Sequence, residues 1–380
     1  MKKVLNLLSI VVGIALIIVC ADLVSNKLSK TKLTELDEID RNAIEELCQM
    51  NALFDKKYGS DEIWNENYNM RDYSAVITRK EDVGKGRTYV INMTLNRNVF
   101  AQKIDLPSEY DGIPVYRLSY LAPETFKLAK IEQPCFETVF GSRVYVTTYD
   151  TQSVMFNGTD SLEEAYVKST FTDAVESIDI PTGTSAHFEK EAENIALLGL
   201  EYCLIDDIMS AKSKEQLDEL VEEYVIVRDY QDEKYPDFAE TRKNIETKYG
   251  CAQYVFYDIS RMIDHNITFF NKEESESITF YSAYYYLCTG RYNSDVSEFL
   301  DDTGVVYSGA ALCRIINDNS LKNEWESCVC ENTSPYDILK KYSARHKDGS
   351  VNKTIDDVKR AYDYEEIIGL ARTLEKELKK

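Results

Sequence analysis

The sequence predicts an α+β chain in which an N-terminal helix and a small antiparallel sheet precede a mainly helical body. Two observations carry this reading. Between Ser74 and Tyr149, β-branched and aromatic runs alternate with glycine and proline, the punctuation of strands and turns. After Gly158 the apolar residues instead recur every three or four positions, the period of helices that bury one face. With 380 residues, 44% of them hydrophobic and 29% charged, the chain has the composition of a folded protein and can bury one large core or two ordinary ones. The expected divisions are an export segment over 1–24, an α+β region over 25–160, a helical domain over 161–345 and a helical extension over 346–380.

The export segment opens with Lys2 and Lys3 and continues as an apolar run from Leu7 to Cys20, the layout of a secretory signal. Cleavage before Asp22 and retention as a membrane anchor both fit. Val4 to Val24 is interrupted only by Asn6, Ser9 and Asp22, and about 17–20 apolar residues can span a bilayer. Either outcome places the protein outside the cytoplasm, secreted or held at the membrane. Next, Leu33, Leu36, Ile39, Ala43, Leu47, Met50 and Phe54 fall at helical spacing and predict a helix over 31–57. The runs starting at Ser74, Arg87 and Ser142 read as strands. Gly84-Lys85-Gly86 lacks the ending and the strand-to-helix setting of a phosphate loop, so it reads as a hairpin turn.

The helical part begins at Ser161, which has capping-box spacing to Glu164. A helix over 161–178 sets Val167, Phe171, Ala174 and Ile178 on one stripe, with Asp173 and Glu176 one turn apart beside it. Further helices are predicted over 185–211, 214–231 and 237–264. The first buries Ile195, Leu198, Tyr202, Ile205 and Met209; the last holds Ile245, Tyr249, Ala252, Phe256, Ile259 and Ile263 in register. Gly250 inside that register suggests close approach by another helix or a ligand. Shorter helices over 278–290, 294–300, 304–318 and 334–343 lead to a terminal helix over 355–379, capped by Thr354 and Asp357.

The 44 basic and 66 acidic residues give a net charge of −22, and loss of residues 1–21 removes two lysines and no acid, leaving 42 − 66 = −24. Such a field repels nucleic acid and anionic membrane surfaces, so no nucleic-acid partner is expected and membrane contact is confined to the N-terminal segment. Eight of the nine cysteines follow Ala21, an even number that permits disulfides in an exported chain. Several lie on apolar helical faces and read as buried thiols. Cys328-Val329-Cys330 lacks the two-residue spacer of redox and zinc pairs.

Only His187, His265 and His346 are present and no His-Glu-x-x-His occurs, which excludes a histidine-rich metal site. His187 with Glu191 has the spacing of one helical turn and fits half a metal site or a solvated pair. The candidate catalytic residues are Asp173, Glu176 and Glu246, because paired carboxylates in a cleft acquire separated pKa values suited to acid–base work. A solvated helix face explains Asp173 and Glu176 equally well. The 27 tyrosines fit core packing and also recognition of a peptide or glycan.

The order of segments over about 160–342 resembles that of exported, gluzincin-like metallopeptidases. The residues that carry the likeness are Ile195-Ala-Leu-Leu-Gly-Leu-Glu-Tyr202, the helix with Arg228, Glu246-Thr-Lys-Tyr249-Gly250-Cys-Ala252-Gln-Tyr254, Tyr307-Ser-Gly309-Ala-Ala-Leu312 and Trp325. The resemblance implies a zincin-like helical body. On that pattern the zinc helix falls on Thr172-Asp173-Ala-Val-Glu176, where both histidines are gone and Asp173 stands for the general base. The remaining ligand position falls on Tyr249. Neutral hydroxyls are poor zinc ligands, so no metal or other cofactor is expected. His187, Tyr249 and Arg228 become candidate binding residues, with Arg228 as counter-charge to Glu246. The resulting expectation is a cell-envelope protein with a peptidase-like scaffold, binding a peptide, glycan or envelope protein or serving structurally. The alternative is an active hydrolase that uses its carboxylates or an unusual metal.

Overall fold

The computed structural model describes residues 2–28, 30–54, 64, 68–80, 87–128, 130–155, 161–175, 187–263, 279–292, 295–318, 333–346 and 353–380. They fall into two compact units, Met1–Phe171 and Thr172–Lys380. The class is α+β with a mostly helical body, as the two sequence periods require.

In the first unit, α1 (Lys2–Leu28) contains a stretch, Asn6–Val24, that is long and apolar enough to cross a membrane, and none of that stretch is buried. The helix expected over 31–57 starts later. Thr31–Lys32 form a short strand, β1, Leu33 is buried in a 3-10 turn, and α2 runs from Glu38 to Leu53. The start of α2 is set by Asp37, whose carboxylate accepts the Ile39 N–H at 3.3 Å.

The strands β2 (Ala75–Arg79), β3 (Thr88–Ile91), β4 (Ala101–Asp105), β5 (Val115–Leu118), β6 (Cys135–Val139) and β7 (Ser142–Tyr149) join β1 in one sheet of order β1-β4-β5-β3-β2-β7-β6. The sheet is mixed rather than antiparallel, because β1 pairs β4 and β2 pairs β7 in the same direction. Each of these parallel pairs is joined by a long connection instead of a tight turn, which leaves the strand direction free to repeat. β2 and β3 pair antiparallel from Ala75↔Ile91 to Thr78↔Thr88, the pairing of a hairpin, while Gly84 to Gly86 lie outside the described residues. On one side of the sheet Val76, Val90, Tyr116, Leu118, Val144 and Val146 form a core with Ala122 and with Leu128 of α3 (Pro123–Leu128).

A short helix, α4 (Thr151–Met155), precedes α5 (Leu162–Ala174). The Ser161 hydroxyl accepts the Glu164 N–H at 3.1 Å, the capping contact read from the spacing. Val167 and Phe171 are buried as the stripe requires, and Phe171 meets Trp64 and Tyr68 edge-on at 4.7 and 5.3 Å. Ile178 lies outside the described residues.

The second unit is built around α6 (Ala192–Met209), with Ile195, Leu198, Tyr202 and Ile205 all buried. Around it come α7 (Lys214–Lys234), α8 (Pro236–Ile245), α9 (Cys251–Met262), α10 (Phe280–Cys288), α11 (Gly304–Asp318), α12 (Pro335–His346), α13 (Ile355–Ala361) and α14 (Tyr364–Leu378). Helices α7, α10, α11 and α14 all touch α6. That crowding explains why α6 is apolar nearly all round. Its Gly199 is required by packing, since a Cβ there would lie 2.6 Å from the Tyr284 ring. The terminal helix expected over 355–379 is in fact two, broken where Asp363 takes a left-handed φ of 45°. Thr354 and Asp357 do form the cap at its start.

The helix expected over 237–264 is interrupted by a π turn over Glu246–Gly250 that joins α8 to α9. A π turn adds a residue to the helical repeat, so positions beyond it no longer share the stripe of those before it. Ile245, Ala252, Phe256 and Ile259 are buried, but Tyr249 is 40% exposed.

Candidate functional site

The helix periods of the second unit converge on four charged side chains that water does not reach. Glu201 projects from α6, Arg228 from α7, Arg242 from α8 and Glu246 from the π turn, and all four side chains are 0% exposed. Arg228 grips Glu246 with two parallel hydrogen bonds, 2.8 Å to Oε1 and 3.2 Å to Oε2. Arg242 does the same to Glu201 at 3.0 and 2.6 Å, and its Nε donates to Glu246 Oε1 at 2.8 Å. The planar fork of arginine matches a carboxylate in this way, and lysine would not.

Further donors of both arginines are also used. Arg228 Nε donates to Asp232 at 2.9 Å, and Arg242 Nη1 donates to the Gln231 side-chain oxygen at 2.7 Å. The Gln231 amide in turn donates to Asn194 Oδ1 at 2.8 Å. Two positive and two negative groups therefore balance inside, with Asp232 at the rim. Burial alone raises the Glu246 carboxyl, but Arg228 and Arg242 outweigh it and hold the group below its usual range. For Arg228, burial favours loss of the proton while Glu246 and Asp232 keep it bound.

Of the residues singled out from the sequence, the structure brings Arg228 and Glu246 together. Tyr249 sits three residues beyond Glu246 but on the exposed side. Asp173 is half-buried in the last turn of α5, and Glu176 lies outside the described residues, as do His265, Trp325, Cys328 and Cys330. His187 is exposed in an irregular segment. The spacing of His187 and Glu191 is not a helical turn, because Glu191 immediately precedes α6. Glu191 instead accepts from the Tyr235 hydroxyl at 3.4 Å. Glu201 and Arg242 were not assigned a role from the sequence. Their signals are a lone acid inside the apolar run from Ile195 to Ile205 and an Arg242–Glu246 pair at i, i+4.

Chemically, this arrangement is closed. A carboxylate held by two guanidinium groups is a weak base, and one that nothing can approach is not a metal ligand. Among the described residues no three His, Cys, Asp or Glu side chains are grouped as a metal requires. Compared with known proteins, the chain matches no family model, no curated protein and no solved structure.

Proposed function

We propose that the chain is an exported cell-envelope protein whose gluzincin-like helical body serves as a scaffold or binding module rather than as a hydrolase. The observation that supports this most is the state of Glu246. Both its oxygens are engaged by Arg228, one also by Arg242, and the side chain is fully buried. A general base must reach a substrate proton, and Glu246 reaches only the two guanidinium groups and the buried Ser308 hydroxyl, which donates to its Oε1 at 3.5 Å. The zinc positions that the resemblance implies do not fit the metal either, since Thr172 and Tyr249 offer neutral hydroxyls and Tyr249 faces outward. Export is supported by Lys2 and Lys3 at the start of α1 and by its apolar stretch Asn6–Val24.

The test combines cell fractionation with metal analysis and a hydrolysis screen on peptides and cell-wall fragments. The expected result is protein in the membrane or exported fraction, no stoichiometric zinc and no turnover. Hydrolysis abolished by Asp173→Asn, Glu176→Gln or Glu246→Gln would establish the enzyme instead. The family likeness has its own test: Thr172→His, Glu176→His and Tyr249→Glu together should create zinc affinity, and a folded triple variant that binds none would remove it.

A further inference from the structure

Where the π turn meets α11, the two backbones touch. A Cβ on Gly250 would lie 2.8 Å from the Gly309 Cα, and one on Gly309 would lie 2.8 Å from the Glu246 Cα. One residue beyond Gly250 and one turn beyond Gly309, this crossing sets the Sγ atoms of Cys251 and Cys313 3.6 Å apart. Both residues are fully buried, and among the described residues no other two sulfurs are in contact. We propose that Cys251 and Cys313 form a disulfide in the exported protein, closed by exchange with a small-molecule or protein disulfide as the helical unit folds. The proposal rests on the export reading for its oxidising compartment.

A disulfide needs its sulfurs about 2.05 Å apart, so the pair must close by roughly 1.5 Å, a movement within reach of side-chain rotation while the glycine contact holds the backbones. The exchange balances. One cysteine thiolate attacks the oxidant's disulfide and expels a thiol; the other then attacks the mixed disulfide and expels the second thiol. Two protein thiols become one S–S bond, and the oxidant is reduced to two thiols. Burial first, and then the neighbouring Cys251, push the Cys313 thiol well above the ordinary range, so the closed unit is a poor nucleophile and the exchange belongs to the folding chain. The product ties the segment bearing Glu246 to α11 across 62 residues of chain.

The experiment has two arms. The full chain is refolded in a buffer of oxidised and reduced glutathione, and the same chain is recovered from cells with its thiols trapped by alkylation; both are mapped by mass spectrometry without reduction. A peptide linking Cys251 to Cys313 is expected in both arms. The oxidised protein should melt roughly 5–10 °C above the reduced one, a gap that Cys251→Ala removes. Folded protein without the link in the glutathione arm, or with a different pairing, overturns the assignment without recourse to any variant. Absence of the link from demonstrably exported protein also overturns it. A cytosolic protein that lacks the link in cells but forms it in glutathione sinks the export reading, and with it the claim of a disulfide in the exported chain, while leaving the geometry upheld.

Discussion

In the unit of residues 1–171 the buried Asp40 accepts from Arg79 and Arg87, each at 3.3 Å, and from the Tyr89 and Tyr149 hydroxyls at 2.8 and 2.7 Å, with Asp37 sharing Arg79 at 2.7 Å. In the unit of residues 172–380, Glu201, Glu246, Arg228 and Arg242 form the other cluster. Each has two acids and two arginines. They differ in access to water, since Asp37 is 41% and Arg87 26% exposed, whereas the second cluster is sealed. Water and salt can therefore compensate a defect in the first cluster, and only protein can do so in the second.

The largest effect should come from Arg242→Ala, which strands Glu201 in the core and leaves Glu246 to Arg228 alone. Removing one partner of a buried pair costs about 3–5 kcal/mol, readable as a fall in the denaturant midpoint. Asp40→Asn should cost less, about 1–3 kcal/mol, because the tyrosines keep an acceptor and the arginines keep Asp37. Equal costs for the two variants would break the contrast between open and sealed clusters.

A smaller effect sharpens the contrast by pH. Burial, with Glu163 as a second cause, pushes the Glu46 carboxyl of the first unit up to about 9. A raised value means the folded state holds the proton more tightly. Its contribution is complete below about 4.5 and is lost as pH rises towards 9. Glu246 is shifted down, so its contribution is present above about 4.5 and is lost as pH falls through its folded value. Glu46→Gln should thus stabilise the protein by on the order of 1 kcal/mol at pH 8 and flatten the alkaline limb of a melting-temperature profile, leaving the acid limb unchanged. A profile shifted equally at both ends would contradict the assignment.

Much of the helical body was legible because its stripes are local: α6, α7, α10 and α12 differ from expectation mainly at their ends, whereas the helices expected over 294–300 and 304–318 are one run, continuous from Val296 through a second π turn over Phe299–Thr303 into α11. The parallel pairing of β2 with β7 was not legible, since it joins residues some seventy positions apart that no local pattern links. The π turn escaped because Ile245, Tyr249 and Ala252 fit an unbroken 3.6-residue period; the extra residue is accommodated where Gly250 meets Gly309, a tertiary contact. At the site, Arg228 and Glu246 were found, but Arg242 looked like an ordinary surface arginine in a charged segment. Only the fold shows that it faces inward.

The short stretch between α1 and β1 sets a reach. Leu28 and Thr31 are three steps apart in the sequence, and three steps of chain reach at most about 11 Å in any conformation. Thr31 is already hydrogen-bonded into the sheet beside Ile104, so no stalk exists to be paid out. If α1 stays in a bilayer, the sheet edge at Thr31 is held within that reach of the membrane surface.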